Sequence, residues 1–218
     1  MQDTKSAKCK EDENIERQRR GSNSGKRQGV PAALRLMSPC DSDQELNDLE
    51  VASVLEDISL HQMAAQGELT HLQQEISDGC DVNKLDTNDM TALLWACANG
   101  QQPAVEFLIK SGADINISGS HGENALLMAS CNGYLGIVEI LLKLCMDINA
   151  TDEAGTGNTA LMYAAYGGHE SVVKLLLESG ADITTQNEDN MNVMDMVVGQ
   201  GNKIIQQVIE RHMLSLFE

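Results

Sequence analysis

Apolar residues in this chain fall into short blocks that close on glycine, and four of five blocks open on a threonine or asparagine. Thr91-Ala-Leu-Leu-Trp-Ala-Cys-Ala-Asn-Gly100 is the clearest, and versions of it begin at Ile58, Asn124, Thr159 and Asn192. The starts are 33, 33, 35 and 33 residues apart. In one copy, Thr91 is placed to cap a helix, and Leu93, Ala96 and Cys97 at i, i+3 and i+4 form one narrow apolar stripe. Gly100 then ends the helix, because glycine adopts a left-handed backbone without strain. Val105, Phe107, Leu108 and Ile109 predict a second helix that stops at Ser111-Gly112. The closing pattern Gly-x-Asp-Val/Ile-Asn occurs at Gly79–Asn83 and Gly112–Asn116, and Gly180–Thr184 ends alike. In the third copy Cys145 stands where that glycine belongs.

A period near 33 with this signature resembles the ankyrin repeat, a turn followed by two antiparallel helices. The expected architecture is all-α: an ankyrin-repeat solenoid of five helix-turn-helix repeats over residues 57–218, at about 57–85, 86–118, 119–151, 152–186 and 187–218. Residues 1–41, dominated by Lys, Glu, Arg, Ser and Gly, are expected to form a disordered charged tail. Residues 42–56 form a linker or a short helix, since Ser42-Asp-Gln-Glu45 is a capping-box pattern ahead of Leu46, Leu49, Val54 and Leu55. His61 occupies the repeat's histidine position, where a bond to turn backbone is expected. Two extra residues in Ala150–Gly157 are expected in a loop finger on the groove side. Ile205, Ile209, Met213 and Phe217, with Val208 beside them, predict a longer amphipathic helix whose polar outer side caps the stack.

Charge divides the chain. Residues 1–35 hold nine Lys/Arg against five Asp/Glu, and the remainder six against 28, giving the total of −18. An acidic body repels phosphate, so any contact with DNA is expected to be indirect, through a partner. Arg17-Gln-Arg-Arg20 and Lys26-Arg27 suit either nuclear import or a solvated tail. Without an apolar run of 18 residues, neither membrane insertion nor secretion is expected. The six cysteines lack metal-ligand spacing and read as reduced structural thiols. His169-Glu170 lacks the second histidine of a zinc-protease motif, and Gly155-Thr-Gly157 is too short to cradle phosphate. No cofactor, metal or catalytic role is expected.

The position two past the stripe leucine lies about 200° round the short helix, and carries Gln62, Trp95, Met128, Tyr163 and Met196. Three residues on, the same face carries Ala65, Ala98, Cys131 and Tyr166. Such a ladder either lines a concave groove with aromatic and methionine anchors or packs sideways against the next repeat.

Leu60-His-Gln-Met-Ala-Ala-Gln-Gly-Glu-Leu69, Val105-Glu-Phe-Leu108, Gly112-Ala-Asp114, Leu161-Met-Tyr-Ala164, Leu176–Asp182 and Ile205-Gln-Gln-Val-Ile-Glu-Arg-His212 resemble one family in particular. It is the family of the ankyrin-repeat subunit of the regulatory factor X complex and ankyrin repeat family A protein. The resemblance implies a groove for Pro-x-Leu-Pro-x-Leu/Ile peptides. The implied partners are the winged-helix subunit of regulatory factor X, class IIa histone deacetylases or the cytoplasmic tail of a receptor. It implies a transcription cofactor of nucleus and cytoplasm, or alternatively a cytoplasmic scaffold. The peptide-binding residues expected are Trp95, Ala98, Asn99, Glu123, Met128, Cys131, Tyr134, Tyr163 and Tyr166. Met128 departs from an aliphatic residue of the family, and the family's Asp-Trp-Asn-Gly-Gly pattern is missing before Thr159.

Overall fold

The computed structural model describes residues 59–152 and 156–216. The tail and linker expected over 1–56, and Phe217, lie outside them. The described residues form five helix pairs: α1 Leu60–Gln66 with α2 Leu69–Ser77, α3 Ala92–Ala98 with α4 Gln102–Lys110, α5 Ala125–Cys131 with α6 Leu135–Lys143, α7 Ala160–Gly167 with α8 Glu170–Glu178, and α9 Val193–Gln200 with α10 Lys203–Ser215. The first member of each pair stacks on its counterparts to make an inner layer, and the second members make an outer layer.

Capping explains where the inner helices start. Thr91 Oγ1 accepts from the Leu94 N–H at 3.2 Å, Asn124 Oδ1 from Leu127 at 2.9 Å and Thr159 Oγ1 from Met162 at 3.3 Å. Repeat one shifts by a single residue. Isoleucine offers no acceptor, so Ser59 rather than Ile58 caps α1, in a reciprocal box with Gln62. The histidine expectation holds: His61 Nε2 bonds the Lys84 carbonyl at 2.8 Å.

The narrow stripe does not hold. Every residue of α5 is buried, as is every residue of α3 except Trp95. An inner helix touches its own outer helix and an inner helix on each side, so three neighbours close most of its circumference. That space is filled by seven or eight residues that mix Ala, Ser and Cys with Leu, Met and Tyr.

Between the pairs project fingers with one construction. Asp86 N–H donates to the Met90 carbonyl at 3.0 Å, Gly119 to Glu123 at 2.9 Å and Asn187 to Met191 at 3.1 Å. The fourth finger closes from Asp152 to Asn158 at 3.3 Å, a span two residues longer than in the other three. One position of each finger needs a positive φ, and it is filled by Asp89, Gly122, Gly157 and Asn190. Gly157 is thus a turn residue. Cys145 likewise adopts φ 58° where Gly79, Gly112 and Gly180 adopt 89–94°.

At the end of the stack Ile205, Val208 and Ile209 of α10 are buried, while Met213 is 37% exposed. The outer side there is not uniformly polar, because Val198 and Ile204 are exposed. Val198 matches Cys97, Ser130 and Ala165, each fully covered by the repeat that follows it. No sixth repeat follows among the described residues to cover Val198.

Candidate peptide-binding groove

Trp95 is the one half-exposed side chain of α3, and its orientation is set from the finger before it. The indole Nε1–H donates to Asp86 Oδ2 at 2.8 Å. Asp86 Oδ1 accepts from the Asn88 and Met90 N–H groups at 2.8 and 2.9 Å. Burial alone pushes the Asp86 carboxyl up, but the Met90, Trp95 and Asn88 donors outweigh it, and the group sits below the usual carboxylate range. One carboxylate therefore shapes the finger and holds the tryptophan. Beside them opens a cavity of about 650 Å³ walled by Ser59, Gln62, Ala65, Leu85, Asp86 and Trp95. Leu85 is 46% exposed there, and His61, Lys84 and Thr87 complete the wall, so apolar surface from Trp95, Leu85 and Ala65 is interleaved with polar groups.

The same device recurs two repeats on with a different result. Tyr163 Oη donates to Asp152 Oδ2 at 2.6 Å, and Thr156 donates to the same oxygen through N–H and hydroxyl at 3.1 Å. Aspartate precedes its aromatic partner by nine residues at Asp86–Trp95 and by eleven at Asp152–Tyr163, the difference being the insertion. Burial, and then the Asp152 carboxylate, push the Tyr163 phenol well up. Unlike Trp95, Tyr163 is enclosed, with 1% of its surface exposed.

Several expected groove residues are therefore corrected. Met128 and Tyr163 do not present to the groove, and Ala98, Cys131 and Glu123 are also buried. Inner helices on both sides close over Met128, and the fourth finger covers Tyr163 through Asp152. The sideways-packing reading applies to these two ladder positions. Burial also pushes the Cys131 thiol up to about 11 and raises Cys97 further.

Glu123 has a role of its own. Gly119 occupies the place of the finger aspartate, and a β-carbon there would lie 2.9 Å from Glu123 Oε2. That oxygen accepts from the His121 N–H at 3.0 Å, as Asp86 accepts from Asn88. Glu123 thus supplies from four residues downstream the carboxylate that Gly119 lacks.

The accessible members are Asn99, which is exposed, and Trp95, Tyr134 and Tyr166, which are half-buried. The Asn99 amide donates to the Trp95 carbonyl at 2.9 Å. Tyr134 precedes α6 and lays its ring against Gly100, past the end of α3. The ladder reasoning missed Asp86, Leu85 and Asn132, whose amide repeats the Asn99 bond by donating to the Met128 carbonyl at 3.0 Å. The available signal was the carboxylate nine residues before the tryptophan. Among the described residues no three or more His, Cys, Asp and Glu side chains are grouped to hold a metal, and no helix is long and apolar enough to cross a membrane.

The repeats have counterparts in known proteins. The pattern of ankyrin repeats in three copies matches residues 60–152, and a further ankyrin repeat matches 156–188. The chain belongs to the ankyrin-repeat proteins, whose repeats form a protein-interaction domain. Within them it is similar to human Ankyrin repeat family A protein 2, 42% identical over 86 residues, which cover 36% of this chain and 28% of that protein. It is also similar to the human DNA-binding protein RFXANK, 43% identical over 79 residues, covering 35% and 30% of the two chains. The bovine Ankyrin repeat family A protein 2 is 41% identical over 86 residues. The chain thus spans less than a third of the length of these relatives.

Proposed function

We propose that this protein is a non-enzymatic adaptor whose concave groove captures extended Pro-x-Leu-Pro-x-Leu/Ile segments, as a cofactor in a regulatory-factor-X-like assembly of nucleus and cytoplasm. The observation that carries this reading is Trp95, fixed through Asp86 and left half-exposed at the rim of that cavity. A large ring immobilised before binding loses little entropy on contact, which is what interface hot spots require. Similarity to RFXANK and Ankyrin repeat family A protein 2 supports the partner class. DNA enters only through the partner, because the folded residues are acidic.

A synthetic Pro-x-Leu-Pro-x-Leu peptide is titrated while the emission of Trp95, the only tryptophan, is followed. A saturable change is expected, absent when the leucines are serine. Trp95→Ala is expected to weaken binding about 30-fold or more, measured by peptide anisotropy. No binding by anisotropy to the unaltered chain sinks the reading.

A further inference from the structure

The cavity beside Trp95 includes Ser59 in its wall, so the chain preceding the described fold departs from the cavity mouth. That preceding sequence contains an apolar stretch, Val30-Pro-Ala-Ala-Leu-Arg-Leu-Met37, within residues 17–37, which hold six Lys/Arg and no Asp/Glu. Residues 59–216 hold six Lys/Arg against 20 Asp/Glu. Basic, apolar chain is thus tethered beside a cavity that offers Trp95, Leu85 and Ala65 as apolar surface, with Asp86 and Lys84 both in its wall, on an acidic body.

We infer that Val30–Met37 occupies this cavity in its own chain and that a partner segment must displace it. In an extended backbone Leu34 and Leu36 point to one side and Arg35 to the other. Pro31 holds Val30 out of the helical region. The two leucines enter beside Trp95 and Leu85, and Arg35 faces the acidic fingers. The connecting residues 38–58 carry seven Asp/Glu and no Lys/Arg, so the acidic body repels them and the connection arches clear of the surface. A coil of 21 residues spans about 25 Å on average, and the segment needs only to return to the mouth it left. Tethering at that length gives an effective concentration on the order of millimolar, so a segment of weak intrinsic affinity fills the cavity. The inference shares the groove with the proposed function but is independent of which partner the groove takes.

The test compares the full chain with a Leu34→Ser/Leu36→Ser variant, which leaves the repeats untouched. Acrylamide quenching of Trp95 is expected to rise about two-fold in the variant, and a free peptide of residues 30–37 at millimolar concentration is expected to restore the shielding. Affinity for the Pro-x-Leu-Pro-x-Leu peptide is expected to rise about ten-fold in the variant. Higher quenching with no peptide binding by either chain upholds the occupied cavity and removes only the partner reading. Equal quenching in the two chains overturns the inference. So does shielding that disappears on dilution, which would assign the segment to the cavity of a second copy.

Discussion

Cys145 shows what a single side chain costs when backbone and residue type disagree. Its φ of 58° is taken by glycine at the three equivalent positions, and a β-carbon in that region costs roughly 1–2 kcal/mol. Cys145→Gly is expected to raise stability by about 1 kcal/mol, seen as a rise of about 2–4 °C in the thermal midpoint. The same cysteine is exposed while Cys97 and Cys131 are buried with raised thiols. Iodoacetamide at pH 8 is expected to alkylate Cys145 in the native protein and Cys97 and Cys131 only after unfolding, mapped by peptide mass spectrometry. Asp86 gives a pH signature. Its folded carboxyl lies below the unfolded value of about 3.9, so its stabilisation is full above that value and is lost as pH falls through the lower folded one. Asp86→Asn is expected to flatten the acid limb of the stability curve below about pH 4 and to release Trp95, shifting its emission at neutral pH.

At the scale of the element, the period of the apolar blocks was enough to place all ten described helices, because a stack repeats its contacts at a fixed interval. Which face of an inner helix meets solvent was not legible. Helical spacing assigns a face to Tyr163, but whether that face is open depends on Asp152, eleven residues away in a finger lengthened by two. Met128 and Trp95 share a register and also differ in exposure, and in the Met128 repeat Gly119 stands where Asp86 positions the indole. Tyr163→Phe isolates the finger's contribution. It keeps the ring, removes a hydrogen bond to a charged acceptor, and is expected to cost about 1.5–3 kcal/mol by denaturant unfolding. The terminal pair is tested through Ile205, buried in α10. Ile205→Ala is expected to cost about 2–5 kcal/mol. Hydrogen exchange is expected to speed in α9 and α10 while α3 to α6 stay protected, because stability in a stack passes between neighbours.

Across the whole molecule, neighbouring repeats are joined by side chains that reach both backward and forward along the chain. Gln101 donates to the Ala65 carbonyl at 3.2 Å, and His169 Nε2 bonds the Cys131 carbonyl at 2.9 Å. Asn83 and Asn149 Oδ1 receive the N–H of Asp114 and Asp182 from the following repeat at 2.8 and 2.9 Å. In the first two bonds the earlier repeat contributes only a carbonyl at a helix end, which water satisfies until the later side chain arrives. A ribosome delivers the repeats in that same order. Each pair can settle on one already standing without leaving either carbonyl as a buried polar group waiting for chain not yet made, so the direction of these two bonds matches the direction of synthesis.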